Sequence, residues 1–426
     1  MQHTPAVSQE RAVLVGLQDG SDATDRSLEE LARLAVSADA VVVGTVLQRR
    51  RRPHPATFLG HGKVEELAEV CKEADADLAI FNHELSPAQQ RNLEKALKVG
   101  VIDRTALVLD IFAQRARTRE GRLQVELAQM IYLLPRLTGR GVALSRLGGG
   151  IGTRGPGETK LEVDRRRIRS RMTDLQREIA EISQRRTLQR EARRKAQLSV
   201  VALVGYTNAG KSTLLNALTD ADVFVQDKLF ATLDPTVRKV VLPDHRAVLL
   251  VDTVGFLTKL PTQLIAAFRA TLEEVTAADL LVHVVDASHP AWRDQITAVE
   301  SVLADLGAGD KPTIYAVNKS DRLNPAEGRA IAAECEGRSV VVSALHKVGL
   351  INLLRSISQE LPEPMVRVKL KVPYTHVRLL YDVFASGRVL HEEYDARGVS
   401  VEAELPRLEA ERVRRLLRVD PDDRSH

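Results

Sequence analysis

The sequence has few cysteines, no long apolar run and no strong excess of charge of either sign. Only Cys71 and Cys335 occur in 426 residues, and neither lies in a cluster of other metal ligands. This spacing argues against a disulfide framework and against a zinc site. We therefore expect two buried thiols in a reduced, intracellular protein.

A membrane span and a secretory leader are lacking as well. No apolar stretch approaches the roughly 18 residues that a transmembrane helix needs, and residues 1–17 lack a basic start followed by a long apolar core. These absences predict a cytoplasmic protein without a membrane span.

The positive charge is small in total but unevenly placed. The formal net charge is +4, yet residues 160–195 alone contain 13 Lys or Arg against 6 Asp or Glu. A second basic stretch, "QRRRRPHP", covers residues 48–55. Solvated surface charge is the simpler explanation, and contact with the phosphates of RNA is the alternative that we favour for the 160–195 segment.

Alternation of short apolar runs with helical segments predicts an α/β chain of several domains. Residues 1–116 predict a small parallel α/β N-terminal domain. Residues 117–197 carry two amphipathic stripes that predict an antiparallel helical hairpin, with a glycine-rich tip at residues 139–160. Residues 198–362 predict a doubly wound α/β domain, and residues 363–426 predict a small α+β C-terminal domain.

A phosphate-binding loop is predicted between a strand and a helix of the third domain. "GYTNAGKST", residues 205–213, follows the apolar run "SVVALV" and has the G-x-x-x-x-G-K-S spacing. Backbone N–H groups of such a loop surround phosphates, Lys211 reaches the terminal phosphates, and the Ser212 hydroxyl binds Mg²⁺. The third domain is therefore predicted to be a P-loop domain.

The bound base is predicted to be guanine. "NKSD", residues 318–321, follows a strand at the edge where open α/β sheets bind ligands. Asp321 can accept hydrogen bonds from guanine N1–H and from its exocyclic amino group, which adenine lacks. Asn318 would steady the loop and present its amide towards the base. "SAL", residues 343–345, can offer a backbone N–H to guanine O6.

The remaining segments complete a GTP-hydrolysing site with Mg²⁺ as cofactor and GTP and GDP as substrate and product. In "DTVG" Asp252 can hold the ion through water and the Gly255 N–H can bind the terminal phosphate. Thr232 in "LFATLDPT" is the predicted loop ligand of the ion, with Thr236 as the alternative. The predicted nucleotide-binding residues are Gly205, Tyr206, Thr207, Asn208, Ala209, Gly210, Lys211, Ser212, Thr213, Phe230, Ala231, Thr232, Leu233, Asp234, Asp252, Thr253, Val254, Gly255, Asn318, Lys319, Ser320, Asp321, Ser343, Ala344 and Leu345; the metal ligands are Ser212 and Thr232, and the catalytic residues are Lys211, Thr232 and Gly255.

The order of these motifs resembles the translation-factor-related GTPases. "FATLDPT", "DTVGF" and "GGGIGTRGPGE" with the following "LEVDRRRI" resemble the HflX family of ribosome-associated GTPases. The resemblance implies binding to the large ribosomal subunit and its RNA, and help in splitting or rescuing stalled ribosomes under stress. We expect the chain to act as a monomer.

The resemblance also bears on Phe256, which stands where such domains usually place a water-positioning glutamine. The family is similar to the hydrophobic-substituted GTPases, and an aromatic ring cannot orient water. We therefore expect slow intrinsic hydrolysis that the ribosome stimulates. In other GTPases, a partner that completes the catalytic site raises the rate by roughly 10³ to 10⁵. The alternative is that Phe256 simply packs beneath the loop.

Two further functions remain open at this point. The chain could be an RNA-binding module with little or no turnover, although its intact nucleotide motifs argue against this. A second nucleotide site could lie in the first domain at "GHGKVEEL", residues 60–67, although a tight turn that enters a helix explains the pattern better.

Replacing Asp321 tests the base assignment. Asp321→Asn should weaken GTP binding and relax the choice of base, because an amide presents a donor to the donors of guanine. Competition binding with GTP and xanthosine triphosphate measures this change. An unchanged preference for GTP would contradict the assignment.

Overall fold

The computed structural model describes residues 9–18, 23–50, 52–137, 160–195, 198–219, 230, 235–257, 269–335, 337–361 and 365–418. The chain folds into two compact units, Met1–Ile357 and Ser358–His426. The finer division into four domains at the boundaries given above stays a prediction.

The first sheet of the larger unit is parallel, as predicted, with strand order β2-β1-β3-β4. Its side chains alternate between two cores: Leu14 and Ile80 face one layer of helices, and Val13 and Phe81 face the other. The elements are β1 (Arg11–Gln18), α1 (Ala23–Ser37), β2 (Val41–Arg49), α2 (His61–Glu73), β3 (Leu78–Phe81), α3 (Pro87–Leu97), β4 (Gly100–Asp103) and α4 (Arg104–Arg115).

A helical pair follows, formed by α5 (Arg119–Leu133) and α6 (Lys160–Lys195). Glu126 pairs with Arg171, and Glu120 pairs with Arg186. The earlier residue of α5 thus pairs with the later residue of α6, so the two helices are antiparallel, as predicted. Leu175 of α6 is completely buried. The predicted glycine-rich tip lies outside the described residues.

The second sheet has six strands in the order β10-β9-β8-β5-β7-β6, and only β6 runs antiparallel to its neighbour. The chain leaves β5 towards β7 on one side and later returns to β8 on the other, so a crevice opens at the carboxyl end of β5. The elements are β5 (Ser199–Gly205), α7 (Lys211–Thr219), β6 (Thr236–Val241), β7 (Ala247–Asp252), α8 (Arg269–Ala277), β8 (Leu280–Asp286), α9 (Trp292–Asp305), β9 (Thr313–Asn318), α10 (Pro325–Glu334), β10 (Arg338–Val341) and α11 (Leu350–Glu360).

The smaller unit contains a three-stranded antiparallel sheet of order β11-β13-β12, which agrees with the predicted α+β class. Along β13 the buried residues Val399, Val401, Ala403 and Leu405 alternate with less buried ones, because one face of the sheet is covered by two helices. The elements are β11 (Met365–Pro373), α12 (Val377–Ser386), β12 (Arg388–Asp395), β13 (Gly398–Pro406) and α13 (Arg407–Arg418).

Within the described ranges, no helix combines the length and the apolar character that crossing a bilayer requires.

Truncating Leu175 tests how the helical pair is held. Leu175→Ala should lower the free energy of unfolding by about 2–5 kcal/mol, because it leaves a cavity under α6. Gln176→Ala, on the exposed side of the same turn, is the matched control and should change stability by less than about 0.5 kcal/mol. Thermal unfolding followed by circular dichroism measures the stability of both variants. An equal loss of stability in the two would contradict the packing of Leu175 between the helices.

Candidate nucleotide-binding site

The phosphate loop lies at the crevice of the second sheet, where β5 ends at Gly205 and α7 begins at Lys211. Gly210 has φ +97°, and a Cβ there would come within 2.4 Å of the Asn318 side-chain nitrogen. Only glycine satisfies both the backbone angle and this close approach. The side chain of Asn318, at the end of β9, therefore restricts this position of the phosphate loop to glycine.

Lys211 is buried and its ammonium points into the loop. Its Nζ donates to the carbonyl oxygens of Gly205, at 3.1 Å, and of Tyr206, at 2.9 Å. Burial lowers the pKa of Lys211 to about 8, and the negative charge of Asp252 acts in the opposite direction. A cation held inside the loop in this way is suited to bind the phosphates of a nucleotide.

Ser212 and Asp252 provide oxygen ligands that fit Mg²⁺. The Ser212 hydroxyl donates to Oδ2 of Asp252 at 2.6 Å. A hydroxyl beside a carboxylate is the kind of hard oxygen set that Mg²⁺ prefers, and such sites are completed by water and by the phosphates of the substrate. The other predicted ligand, Thr232, lies outside the described residues, together with Ala231, Leu233 and Asp234.

Gly255 lies directly against the phosphate loop. A Cβ at this position would lie 2.7 Å from the Thr207 Cα and 3.1 Å from the Lys211 Nζ. The backbone of Gly255 therefore lies beside the Lys211 ammonium group, and the predicted hydrogen bond from its N–H to the terminal phosphate stays a prediction. Thr253, two residues earlier, is fully buried and donates to the carbonyl of Leu203 at 2.6 Å.

Phe256 is joined to the phosphate loop through its backbone. Its N–H donates to the Gly205 carbonyl at 3.1 Å, and its carbonyl accepts from the Thr207 N–H at 2.8 Å. The ring is only 1% exposed and packs in the same core as Val254, Leu257 and Phe230. In this structure the side chain thus packs in the core beneath the site and presents no polar group to water.

The base-binding segments meet at Asn318. Its side-chain nitrogen donates to the Ala209 carbonyl at 2.9 Å, and its side-chain oxygen accepts from the Ala344 N–H at 3.0 Å. We expected Asn318 to steady the loop and to present its amide towards the base. In the structure its side chain ties the phosphate loop to the "SAL" segment, and its contact with the base stays a prediction. The physical reason is its burial, because a buried amide must find partners within the protein.

Asp321 is exposed to solvent, so its carboxylate is accessible. Its Oδ1 accepts from the Ser343 hydroxyl at 2.5 Å, and this hydrogen bond lowers the pKa of Asp321 against the raising effect of burial. The carboxylate is therefore ionised at neutral pH, which is the form that accepts from guanine. Leu345 is 69% exposed.

Two contacts at the site were not predicted from the sequence. Lys319 forms a 2.7 Å ion pair with Asp286 at the end of β8, which holds the loop that carries Ser320 and Asp321. The Tyr206 hydroxyl donates to Glu30 of α1, in the first sheet's domain. The position of Asp286 at a strand end could have indicated its role, but no local pattern indicates Glu30.

The alternative site in the first domain is only partly supported by the geometry. Gly60 caps α2 without a side-chain partner, as expected for a turn that enters a helix. Lys63 pairs with Glu66 at 2.7 Å, so its charge is already engaged. Nucleotide binding there stays an untested alternative.

Comparison with known proteins places these motifs in one family. Residues 25–113 match a family model described as GTP-binding GTPase N-terminal, residues 115–193 match GTP-binding GTPase Middle Region, and residues 200–319 match 50S ribosome-binding GTPase. Together these matches cover more than half of the chain.

Individual relatives give the same result. A GTPase HflX from Caldanaerobacter subterraneus subsp. tengcongensis is 50% identical over 97% of this chain and 95% of its own length. A GTPase HflX from Escherichia coli is 42% identical over 97% of this chain and 96% of its own length. A solved GTP-binding protein from Sulfolobus solfataricus in complex with GDP is 23% identical, with a TM-score of 0.45 over 83% of this chain and 98% of that one.

The low pKa of Lys211 predicts a pH dependence of nucleotide binding. Phosphate charge raises the pKa of Lys211 in the complex, so affinity is full below the pKa of the free site and falls as the pH rises through about 8. We expect the dissociation constant for GDP to rise by up to about tenfold per pH unit above that value. Calorimetric titration between about pH 7 and pH 9 measures this.

Lys211→Arg is the control, because its guanidinium stays protonated throughout this range. Its affinity is expected to be lower but independent of pH. The same pH dependence in both proteins would assign the effect to another group.

Proposed function

Because this chain belongs to the HflX family of GTPases, we propose that it is a Mg²⁺-dependent GTP switch that binds the large ribosomal subunit and splits or rescues stalled ribosomes. The observation that carries the proposal is the convergence of Lys211, Gly255 and Asn318 on a single phosphate loop. This arrangement supports a role for both segments in binding one nucleotide.

We propose a separate role for each of the chain's own residues at this site. Asp321 binds guanine, and the Lys211 ammonium binds the terminal phosphates of the nucleotide. The Gly255 N–H binds the terminal phosphate of GTP, which GDP lacks. Bound Mg²⁺, held by Ser212 and Thr232 and through water by Asp252, would neutralise charge on the phosphate oxygens. Loss of the terminal phosphate would release the segments that contact it, which changes the protein's shape.

Ribosome binding is supported by charge and by family. The third family model is described as a 50S ribosome-binding GTPase. Helix α6 is basic, and its residues Arg167 and Arg169 are exposed, so they are available to contact RNA phosphates. The antiparallel helical pair would present this basic face to ribosomal RNA, and the predicted glycine-rich tip at residues 139–160 is a second candidate for RNA contact.

Slow intrinsic hydrolysis follows from the packing of Phe256. Its buried ring cannot orient an attacking water, so the chain lacks at this position the group that a glutamine supplies in other GTPases. We propose that the ribosome supplies or orders the missing group. The gain would be in the range of roughly 10³ to 10⁵ seen when a partner protein completes a GTPase site.

Hydrolysis with and without purified large subunits tests this function directly. We expect turnover to increase at least about a hundredfold at saturating subunits, since completing a GTPase site has effects of this size or larger. Lys211→Ala is the negative control, because it removes the cation that binds the phosphates. Equal turnover with and without subunits would overturn the proposed role of the ribosome.

A second measurement separates the switch from simple binding. Large subunits are pelleted with the chain in the presence of a GTP analogue, GDP or no nucleotide, and intact ribosomes are followed by light scattering to detect splitting. We expect co-pelleting and splitting with the analogue only. Equal co-pelleting in all three conditions would favour an RNA-binding module without a nucleotide switch.

A further inference from the structure

The carboxyl end of β8 lies beside the loop that carries the base-binding motif. Strands β8 and β9 are parallel neighbours, and Asp286, the last residue of β8, pairs in register with Asn318, the last residue of β9. The chain after β8 is tied to the same residue, because the Ala287 N–H donates to the Asn318 carbonyl at 3.1 Å. The peptide that leads into Lys319 is therefore fixed from the neighbouring strand.

The carboxylate of Asp286 is engaged through both oxygens. Its Oδ1 accepts from the Ser288 hydroxyl at 2.7 Å and from the Ser288 N–H at 3.1 Å. Its Oδ2 pairs with the Lys319 ammonium at 2.7 Å. The side chains of Lys319 and Asp286 are 19% and 14% exposed, so salt screens this pair less than a pair on the open surface. Asp286 is thus held in place itself and forms a fixed anchor for Lys319.

Lys319 has an unfavourable backbone conformation. Its φ is +61° and its ψ is +32°, in the left-handed region that residues with a Cβ rarely adopt. Such a conformation persists where surrounding contacts enforce it. The ion pair with Asp286 fixes the Lys319 side chain. The peptides on either side are fixed by the bond from Ala287 and by the Ser320 N–H, which donates to the Val342 carbonyl at 3.3 Å.

The conformation of Lys319 determines where Asp321 points. Asp321 follows two residues later, and its Oδ1 accepts from the Ser343 hydroxyl at 2.5 Å. The φ and ψ angles are the soft angles of the backbone, so a change of both at Lys319 would reorient the chain that follows. The Asp321 carboxylate would then lose the position that it shares with Ser343.

We propose that Asp286 is a positioning residue for base recognition, because it holds Lys319 in the left-handed conformation that directs the Asp321 carboxylate to the N1–H and amino group of guanine. This inference deepens the proposed GTP switch and rests on its guanine site. It adds to that site a residue of β8 that lies outside the four nucleotide motifs. Asp286 acts through Lys319 and need not touch the nucleotide.

This role makes Asp286 matter for the choice of base and not for the number of phosphates. GDP and GTP share the base that Asp321 binds, so both lose affinity equally when Asp321 is misplaced. Inosine diphosphate lacks the exocyclic amino group of guanine, so the preference for GDP over inosine diphosphate measures how well the carboxylate is placed. The KM for GTP should rise while kcat stays unchanged, the pattern of lost uniform binding.

Asp286→Asn tests the ion pair in the full-length chain. The amide keeps the shape of the side chain and removes the charge that pairs with Lys319. We expect the preference for GDP over inosine diphosphate to fall at least roughly fivefold, since groups within one ion-pair network are coupled by effects of this size. Affinities for GDP and for a GTP analogue should fall by the same factor. Competition binding against a fluorescent guanine nucleotide measures all three affinities.

Asp244→Asn is the matched control. Asp244 pairs with Arg246 at 2.6 Å in the same sheet's domain, but in the turn that precedes β7, whereas the nucleotide motifs follow the carboxyl ends of the strands. This variant should keep the base preference of the unmodified chain. An unchanged preference in Asp286→Asn, or an equal loss in Asp244→Asn, would overturn the proposal.

A second variant tests the backbone conformation itself. Asparagine adopts the left-handed region more readily than lysine, so Lys319→Asn should depend less on an anchor. In a double-mutant cycle, Asp286→Asn should then cause little further loss of base preference in the Lys319→Asn background. A further loss as large as that in the unmodified chain would show that Asp286 does not act through Lys319, and would refute the positioning role.

Failure of the proposed function gives a different result from failure of this inference. If the unmodified chain binds GDP no more tightly than inosine diphosphate or ADP, the guanine site itself is wrong. If the unmodified chain prefers GDP and Asp286→Asn keeps that preference, the guanine site stands and the role of Asp286 is refuted.

Discussion

Two backbone hydrogen bonds join Phe256 to the phosphate loop, and the geometry of the site depends on them. They bring Gly255 against Thr207 and beside the Lys211 ammonium. Since buried backbone groups must be paired, this short bridge is a strong constraint on a segment that has no other regular structure. It also explains the choice of an aromatic residue, because the side chain at this position enters an apolar core.

Much of the site could be predicted from the sequence because its chemistry is carried by contiguous residues. The phosphate loop, "DTVG" and "NKSD" each follow a strand, and the parallel sheet brings their strand ends to one edge. The contact between Glu30 and Tyr206 could not be predicted, since the two residues are 176 positions apart. Hydrophobic periodicity indicates which face of a helix is buried, but not which domain buries it. The sequence indicated that Asn318 steadies its loop, but it did not indicate the partners Ala209 and Ala344, which lie on two other loops.

The charge of α6 divides into two sets with different consequences. Arg171 and Arg186 face α5 and pair with Glu126 and Glu120, so they hold the helices together and contribute little net field. The Arg171–Glu126 pair is partly exposed, and pairs of this kind are worth little stability individually. Exposed arginines such as Arg169 keep their charge available to solvent and polyanions. Sequence composition alone gives the total charge of α6 and cannot show which arginines are paired and which are exposed.

The side chain of Asn318 has a consequence for how this kind of site can change. One amide bonds the phosphate loop through Ala209 and the base-side segment through Ala344, and it fills the space beside Gly210. The phosphate loop and the base-side segment therefore share this amide as a common support. A substitution that retunes one half disturbs the other, so new nucleotide specificity in this fold would require concerted replacements rather than a series of independent steps.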